Sequence, residues 1–157
     1  MSGARIAPGS GRANVATGVP LLDHLLTELA LAGQFDLSLE IDPGDAAAEV
    51  DAAGAAVGQT LAPLLRDGAH GSGVMLSSEA LAMVVVEASG AALVASNADL
   101  TGAGGLGTDI AARFLAALTE SAALTLHVRL IEGEETDHVL EAMFKALGVA
   151  LADAVNS

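Results

Sequence analysis

Ala146-Leu-Gly-Val-Ala-Leu-Ala152 repeats Ala56-Val-Gly-Gln-Thr-Leu-Ala62 at a spacing of 90 residues. The match does not stand alone. Phe35 aligns with Leu124 and Leu37 with Leu126 at a spacing of 89. On this register His24 corresponds to Arg113, Ala48 to His138 and Asp51 to Glu141. A period this long, occurring twice, is not a solenoid unit. It reads as a duplicated half-domain, with the halves at about 1–68 and 69–157 of a single domain.

The elements around the repeat support an α/β class. Phe35, Leu37, Leu39 and Ile41 alternate with polar residues, the period of a half-buried strand. Leu124 to Ile131 reads the same way. Pro20 opens a helix whose Leu22, Leu25, Leu26 and Leu29 recur at helical spacing, with Gly33 as its stop. Further helices are expected from Ala46 to about Leu65, Thr108 to Ser121, and Thr136 to Val155. Ala4–Ala7 with Ala13–Thr17, and Leu81–Ala88 with Ala91–Ser96, read as two strand hairpins. Residues 66–73 and 97–107 read as loops, with a short strand at Val74–Ser77. The expected architecture is an α+β two-layer sandwich, internally duplicated, with helices packed on one face of a sheet in each half.

Composition limits the partners. Twenty acidic residues against six Lys and Arg give a formal charge of −14. Nucleic acid binds chiefly through cationic contacts to phosphate, so it is not an expected partner. An anionic membrane surface is disfavoured on the same ground. The most apolar run, Ala80–Val86, is too short to span a bilayer, and no targeting segment is legible. Cysteine is absent, which removes disulfides, thiolate nucleophiles and cysteine metal sites. A cytoplasmic location is the expectation. With 52% apolar but only 2% aromatic residues, the core must be built of Ala, Val, Leu and Ile.

The stretch Asp137-His-Val-Leu-Glu-Ala-Met-Phe-Lys-Ala146 carries the candidate chemistry. In a helix His138 and Glu141 are i and i+3, and Asp137 and Glu141 are i and i+4, so all three share a side. Imidazole and carboxylate together suit Zn, Mn or Fe. Lys145 lies one turn on, placed to meet an anionic group. The same spacing also describes an acidic helix start with a surface histidine. Gly102-Ala-Gly-Gly-Leu-Gly-Thr108 opens a predicted helix but lacks neighbouring cations, and reads as a plain loop. His70 reads as solvated, and His127 as a structural histidine on a strand.

Three stretches, Thr17–Leu26, Thr125–Arg129 and Asp137–Ala146, together resemble the imidazoleglycerol-phosphate dehydratase family. Thr17-Gly-Val-Pro-Leu-Leu-Asp-His-Leu-Leu26 is similar to its Thr-Gly-Ile-x-Phe-Leu-Asp-His-Met-Leu motif and continues through Gly33-Gln-Phe-Asp-Leu37 and Gly44-Asp45. Thr125-Leu-His-Val-Arg129 is the second. The third is Asp137–Ala146, similar to His-His-x-x-Glu-Ala-x-Phe-Lys-Ala. The resemblance implies a ribosomal protein S5 domain 2-like fold and a manganese-dependent lyase of histidine biosynthesis. It implies active sites between subunits of a homo-oligomer, a trimer or larger. In such a lyase the metal stabilises negative charge on the substrate imidazole, a carboxylate takes a proton, and Arg and Lys hold the phosphate.

The chain departs from the family pattern at several positions. Ala47 and Ala48 stand where two histidines belong, and Asp51 where a glutamate belongs. Arg113 replaces a histidine, Asp137 the first of a paired histidine, Ala32 another histidine, and Ala91 an arginine of a Ser-Gly-Arg segment. The family segment Arg-x-Thr-x-Glu-Thr, which carries a catalytic glutamate, has no counterpart in these 157 residues. What the resemblance leaves is a metal set of His24, His138 and Glu141, with Asp51 and Asp137 as further candidates, and Lys145 for substrate phosphate. No catalytic base is assigned. Manganese is expected at reduced stoichiometry, below one tightly held ion per subunit, and a small phosphorylated molecule is the candidate ligand. Two readings follow: a divergent dehydratase-like lyase, or a non-catalytic relative serving as an oligomeric scaffold or small-ligand binder.

Overall fold

The computed structural model describes residues 2–100 and 108–157. The elements in chain order are β1 (Gly3–Pro8), β2 (Ala13–Ala16), α1 (Pro20–Gly33), β3 (Phe35–Glu40), α2 (Ala46–Leu61), β4 (His70–Ser77), β5 (Ala80–Glu87), β6 (Leu93–Ser96), α3 (Ile110–Ala122), β7 (Thr125–Glu132) and α4 (Thr136–Val155). A 3₁₀ turn at Ala62–Leu64 ends α2 earlier than expected, because Pro63 has no N–H to continue the ladder. The glycine-rich stretch 102–108 falls outside the described residues except for Thr108.

Two sheets form, in the orders β1-β3-β2 and β4-β5-β7-β6. The expected hairpins do not. β1 runs antiparallel and β2 parallel to β3, which lies between them. β5 and β6 flank β7 in the same senses. The reason lies in the apolar pattern: Phe35, Leu37 and Leu39 bury completely on one face, so β3 takes the two-neighboured position that excludes most water. The chain between β1 and β2 passes round the end of β3, where the Asp36 carboxylate accepts the N–H groups of Ser10 and Arg12.

Both sheets obey one register. Leu37 faces Ile6 and Ala13 on its neighbours, and Leu126 faces Val86 and Val94. Each central strand follows a helix stopped by a residue in the left-handed region, Gln34 and Ala123, both at φ 54°. These pairs are 89 residues apart, the spacing of the sequence repeat. The fold is α/β, and each half lays its helices on one face of its sheet. β4 is the exception to the correspondence. The loop expected over 66–73 is instead partly strand, since Gly71 and Gly73 let β4 lie against the backbone of α4.

The halves meet helix to helix. α1 packs against α4, and α2 against α3. At the first crossing Gly148 lies on the carbonyl of Leu29; at the second Gly58 lies on that of Leu118. These are again corresponding positions. One continuous core results, centred on Leu side chains with Phe35, Phe114 and Phe144 as its only rings. Phe114 and Phe144 touch with centroids 5.6 Å apart.

Candidate metal centre at the α1–α4 crossing

The motif Thr17–Leu26 acts first as a helix start. Asp23 accepts both the N–H and the hydroxyl of Thr17, at 2.9 and 2.6 Å. The same hydroxyl accepts the N–H of Val19 at 3.1 Å. This lock fixes the first turn of α1, where Pro20 supplies a preset φ and Val19 offers no side-chain cap. His24 follows directly and points to the α4 side of the helix.

Two i,i+4 pairs then face each other across the crossing. α1 supplies His24 and Glu28; α4 supplies Glu141 and Lys145. His24 Nε2 lies 2.6 Å from Glu141 Oε2, and Lys145 Nζ lies 4.0 Å from Glu28 Oε2. The second oxygen of Glu141 accepts the hydroxyl of the buried Ser77 at 2.7 Å, at the end of β4. His24 first, and Ser77 second, hold the Glu141 carboxyl below its ordinary value of 4.5. Donor atoms of His24, Glu28 and Glu141 lie within 4.8 Å of one another. One imidazole nitrogen and two carboxylate oxygens form a donor set suited to a single divalent cation such as manganese.

The predicted residues separate in space. His24 and Glu141 come together. His138 turns to Glu79, with which its Nδ1 forms an ion pair, and is not one of the three residues whose donor atoms converge. Asp51 accepts two bonds from Arg113, at 3.1 and 2.7 Å, on the opposite α2–α3 crossing. Asp137 is exposed in the first turn of α4 and does not join the cluster. Lys145 is directed at Glu28 and at the Leu76 carbonyl, 3.5 Å away. His127 is exposed on the outer face of β7 rather than held in a structural role, and His70 is exposed at the start of β4.

The α2–α3 crossing is the counterpart of this site. Arg113 occupies the place of His24 and Asp51 that of Glu141, while Ala117 corresponds to Glu28. A guanidinium stays protonated and cannot ligate a cation, so the same geometry that gathers donors at one crossing makes a closed ion pair at the other.

Glu28, Ser77 and Glu79 were not among the sequence candidates. Glu28 had a signal: it is i+4 from His24 in a predicted helix. Ser77 and Glu79 are far from both helices in sequence, and arrive from the end of β4 and the turn after it. Glu79 accepts the N–H groups of Glu134 and Glu135, at 3.2 and 3.4 Å, and so caps an α4 N-terminus that has no cap of its own. Glu79, with smaller help from Glu141 and Glu135, raises the His138 pKa above 6.5. The Glu79 carboxyl is correspondingly lowered, with His138 as the largest cause. The contribution of His138 is therefore complete below pH 6.5 and is lost as pH rises through its folded value. Glu79→Gln is expected to bring the His138 ring titration, followed by NMR, back towards 6.5; an unchanged titration would refute the pairing.

The sequence and the fold both have relatives among known proteins. The family model described as imidazoleglycerol-phosphate dehydratase matches residues 17–151. An imidazoleglycerol-phosphate dehydratase of an Exiguobacterium species is 35% identical over 95% of this chain and 81% of its own length. That of Acetivibrio thermocellus is 37% identical over 93% and 80%. The crystal structure of the Staphylococcus aureus imidazoleglycerol-phosphate dehydratase superposes with a TM-score of 0.82 at 30% identity, covering 97% of this chain and 91% of that one.

Proposed function

The chain belongs to the imidazoleglycerol-phosphate dehydratase family, and we propose that it is a divergent, single-site member which holds at most one divalent cation and a small phosphorylated ligand without a complete dehydration centre. The observation that carries this reading is the contrast between the two crossings. His24, Glu28 and Glu141 form a donor set at one; Arg113 and Asp51 form a closed ion pair at the other. A bound cation would supply charge stabilisation for an imidazole turned towards it. His24 and Glu141 hold the donor geometry, Ser77 fixes the Glu141 rotamer, and Lys145 adds positive charge beside the site for phosphate. Ala47, Ala48 and Ala91 provide no ligand or cation in the places where the family motifs carry histidines and an arginine.

A second reading, an active dehydratase of histidine biosynthesis, is favoured by the names of relatives at 33–38% identity over most of both chains, each an imidazoleglycerol-phosphate dehydratase. The two readings part in one experiment. Protein loaded with excess manganese and dialysed is expected to retain no more than one ion per chain by elemental analysis, and its gene is expected not to rescue a histidine auxotroph lacking the dehydratase. Two ions per chain, or restored growth, would establish the second reading.

A homo-oligomer, a trimer or larger, is part of the proposal. Val74, Leu76 and Val85 are exposed together on the outer face of the second sheet, an apolar surface that a copy of the chain would cover. A cytoplasmic location accords with this; among the described residues no helix is long and apolar enough to cross a membrane.

A further inference from the structure

Two partners compete for Glu28. Its carboxylate is a donor of the His24–Glu28–Glu141 cluster. It is also the ion-pair partner of Lys145, at 4.0 Å. That contact is longer than a hydrogen bond, and about a quarter of each side chain is exposed, so the pair is loosely held and partly screened. The other partner of Lys145, the Leu76 carbonyl, stands at the limit of hydrogen-bond range, 3.5 Å away. His24, by contrast, lies 2.6 Å from Glu141, and Ser77 holds the second Glu141 oxygen at 2.7 Å. One rung of the crossing is tight and the other slack. The slack rung has no counterpart at the α2–α3 crossing: shifted by the repeat, Glu28 and Lys145 become Ala117 and Ala55.

We propose that Glu28 decides when this crossing accepts an anion: Glu28 holds Lys145 while no cation is bound, and releases it to an anionic ligand when a divalent cation takes the Glu28 carboxylate. Without a cation, two carboxylates and one ammonium leave the crossing net negative, on a chain of formal charge −14, and an anion is repelled. A divalent cation reverses the local sign. It is also the stronger competitor for Glu28, with twice the charge of an ammonium and two further donors beside it in His24 and Glu141. Lys145, one turn beyond Glu141 on α4, then turns its N–H donors to phosphate oxygens. Cation and anion tighten each other by one common factor, as linkage requires. The ligand class is a small phosphate monoester that arrives with the cation or after it. This inference rests on the single cation of the proposed function, and adds the residue that makes anion binding conditional on that cation.

The test is isothermal titration of the whole chain with glycerol 3-phosphate, once in chelator and once in saturating Mn²⁺, after direct titration with Mn²⁺ alone. The parent is expected to bind the ester at least about fivefold more tightly with Mn²⁺ than in chelator. Glu28→Gln keeps the side-chain shape and frees Lys145 without a cation. In chelator it is expected to bind the ester about threefold more tightly than the parent, the worth of a partly exposed ion pair. Its further gain from Mn²⁺ is expected to be smaller than the parent's by the same factor. Glu120→Gln, the same charge change on α3, is expected to match the parent throughout, and Lys145→Met to bind weakly in both conditions. Two results would overturn the proposal: Glu28→Gln no tighter than the parent in chelator, or an equal gain from Mn²⁺ in the two proteins, which would mean that the cation acts on the phosphate directly. Should Glu28→Gln lose Mn²⁺ altogether, the comparison in chelator decides. A parent that binds no Mn²⁺ would strike the metal site and this inference together. Bound Mn²⁺ with no gain in ester affinity would strike the inference alone.

Discussion

Replacing Glu141 with alanine is expected to lower the manganese affinity of the chain by more than about 100-fold, beyond the usual effect of losing a ligand's supporting partner. Glu141 is the one carboxylate that reaches the cluster from α4; without it the remaining donors, His24 and Glu28, both come from α1. Its removal also leaves His24 without its 2.6 Å partner and Ser77 without its acceptor. Asp51→Ala, at the corresponding position of the other crossing, is expected to leave affinity unchanged, because Asp51 is occupied by Arg113. Isothermal titration with Mn²⁺ reads both. Equal losses in the two variants would show that the crossings are functionally alike, and the single-site reading would fall.

Gly148→Val is expected to destabilise the fold by about 3 kcal/mol, the upper range for forcing atoms into a packed core. The new Cβ would meet the Leu29 carbonyl, which is main chain and cannot rotate away. The α1–α4 crossing would have to open, and with it the His24–Glu141 contact. For a domain of this size the melting temperature is expected to fall by roughly 9 °C, and metal affinity to fall with it. Gly3→Ala, whose Cβ meets nothing within 4 Å, is the matched control and is expected to stay within about 0.5 kcal/mol of the parent. A Gly148→Val protein as stable as that control would mean that the crossing tolerates a wider separation.

The elements were legible because their apolar periods are strong and their stops are chemical. Leu22 to Leu29 repeat at helical spacing, Phe35 to Ile41 alternate, and Pro63 ends α2. The order of strands was not legible. Ala4–Ala7 and Ala13–Thr17 are adjacent in sequence and short, which suggests a hairpin, but the pairing is decided by which strand is apolar enough to be central. That is a competition among strands, and no single strand's sequence contains its outcome. The glycines of β4 read locally as loop because they are permissive by propensity; only contact with α4 shows that they serve close approach.

The site divides in the same way. The duplication, the family motifs and the correspondence of His24 with Arg113 and of Asp51 with Glu141 are legible in the chain alone, since these depend only on residue types and fixed spacing. The tertiary structure decided which of them meet. His138 and Glu141 share a helix, yet one pairs with Glu79 and the other with His24, because partners are chosen by elements that arrive from elsewhere in the chain. Glu28 joined the cluster and Asp51 left it for the same reason. Spacing along a helix fixes a side chain's direction, and only packing fixes what lies in that direction.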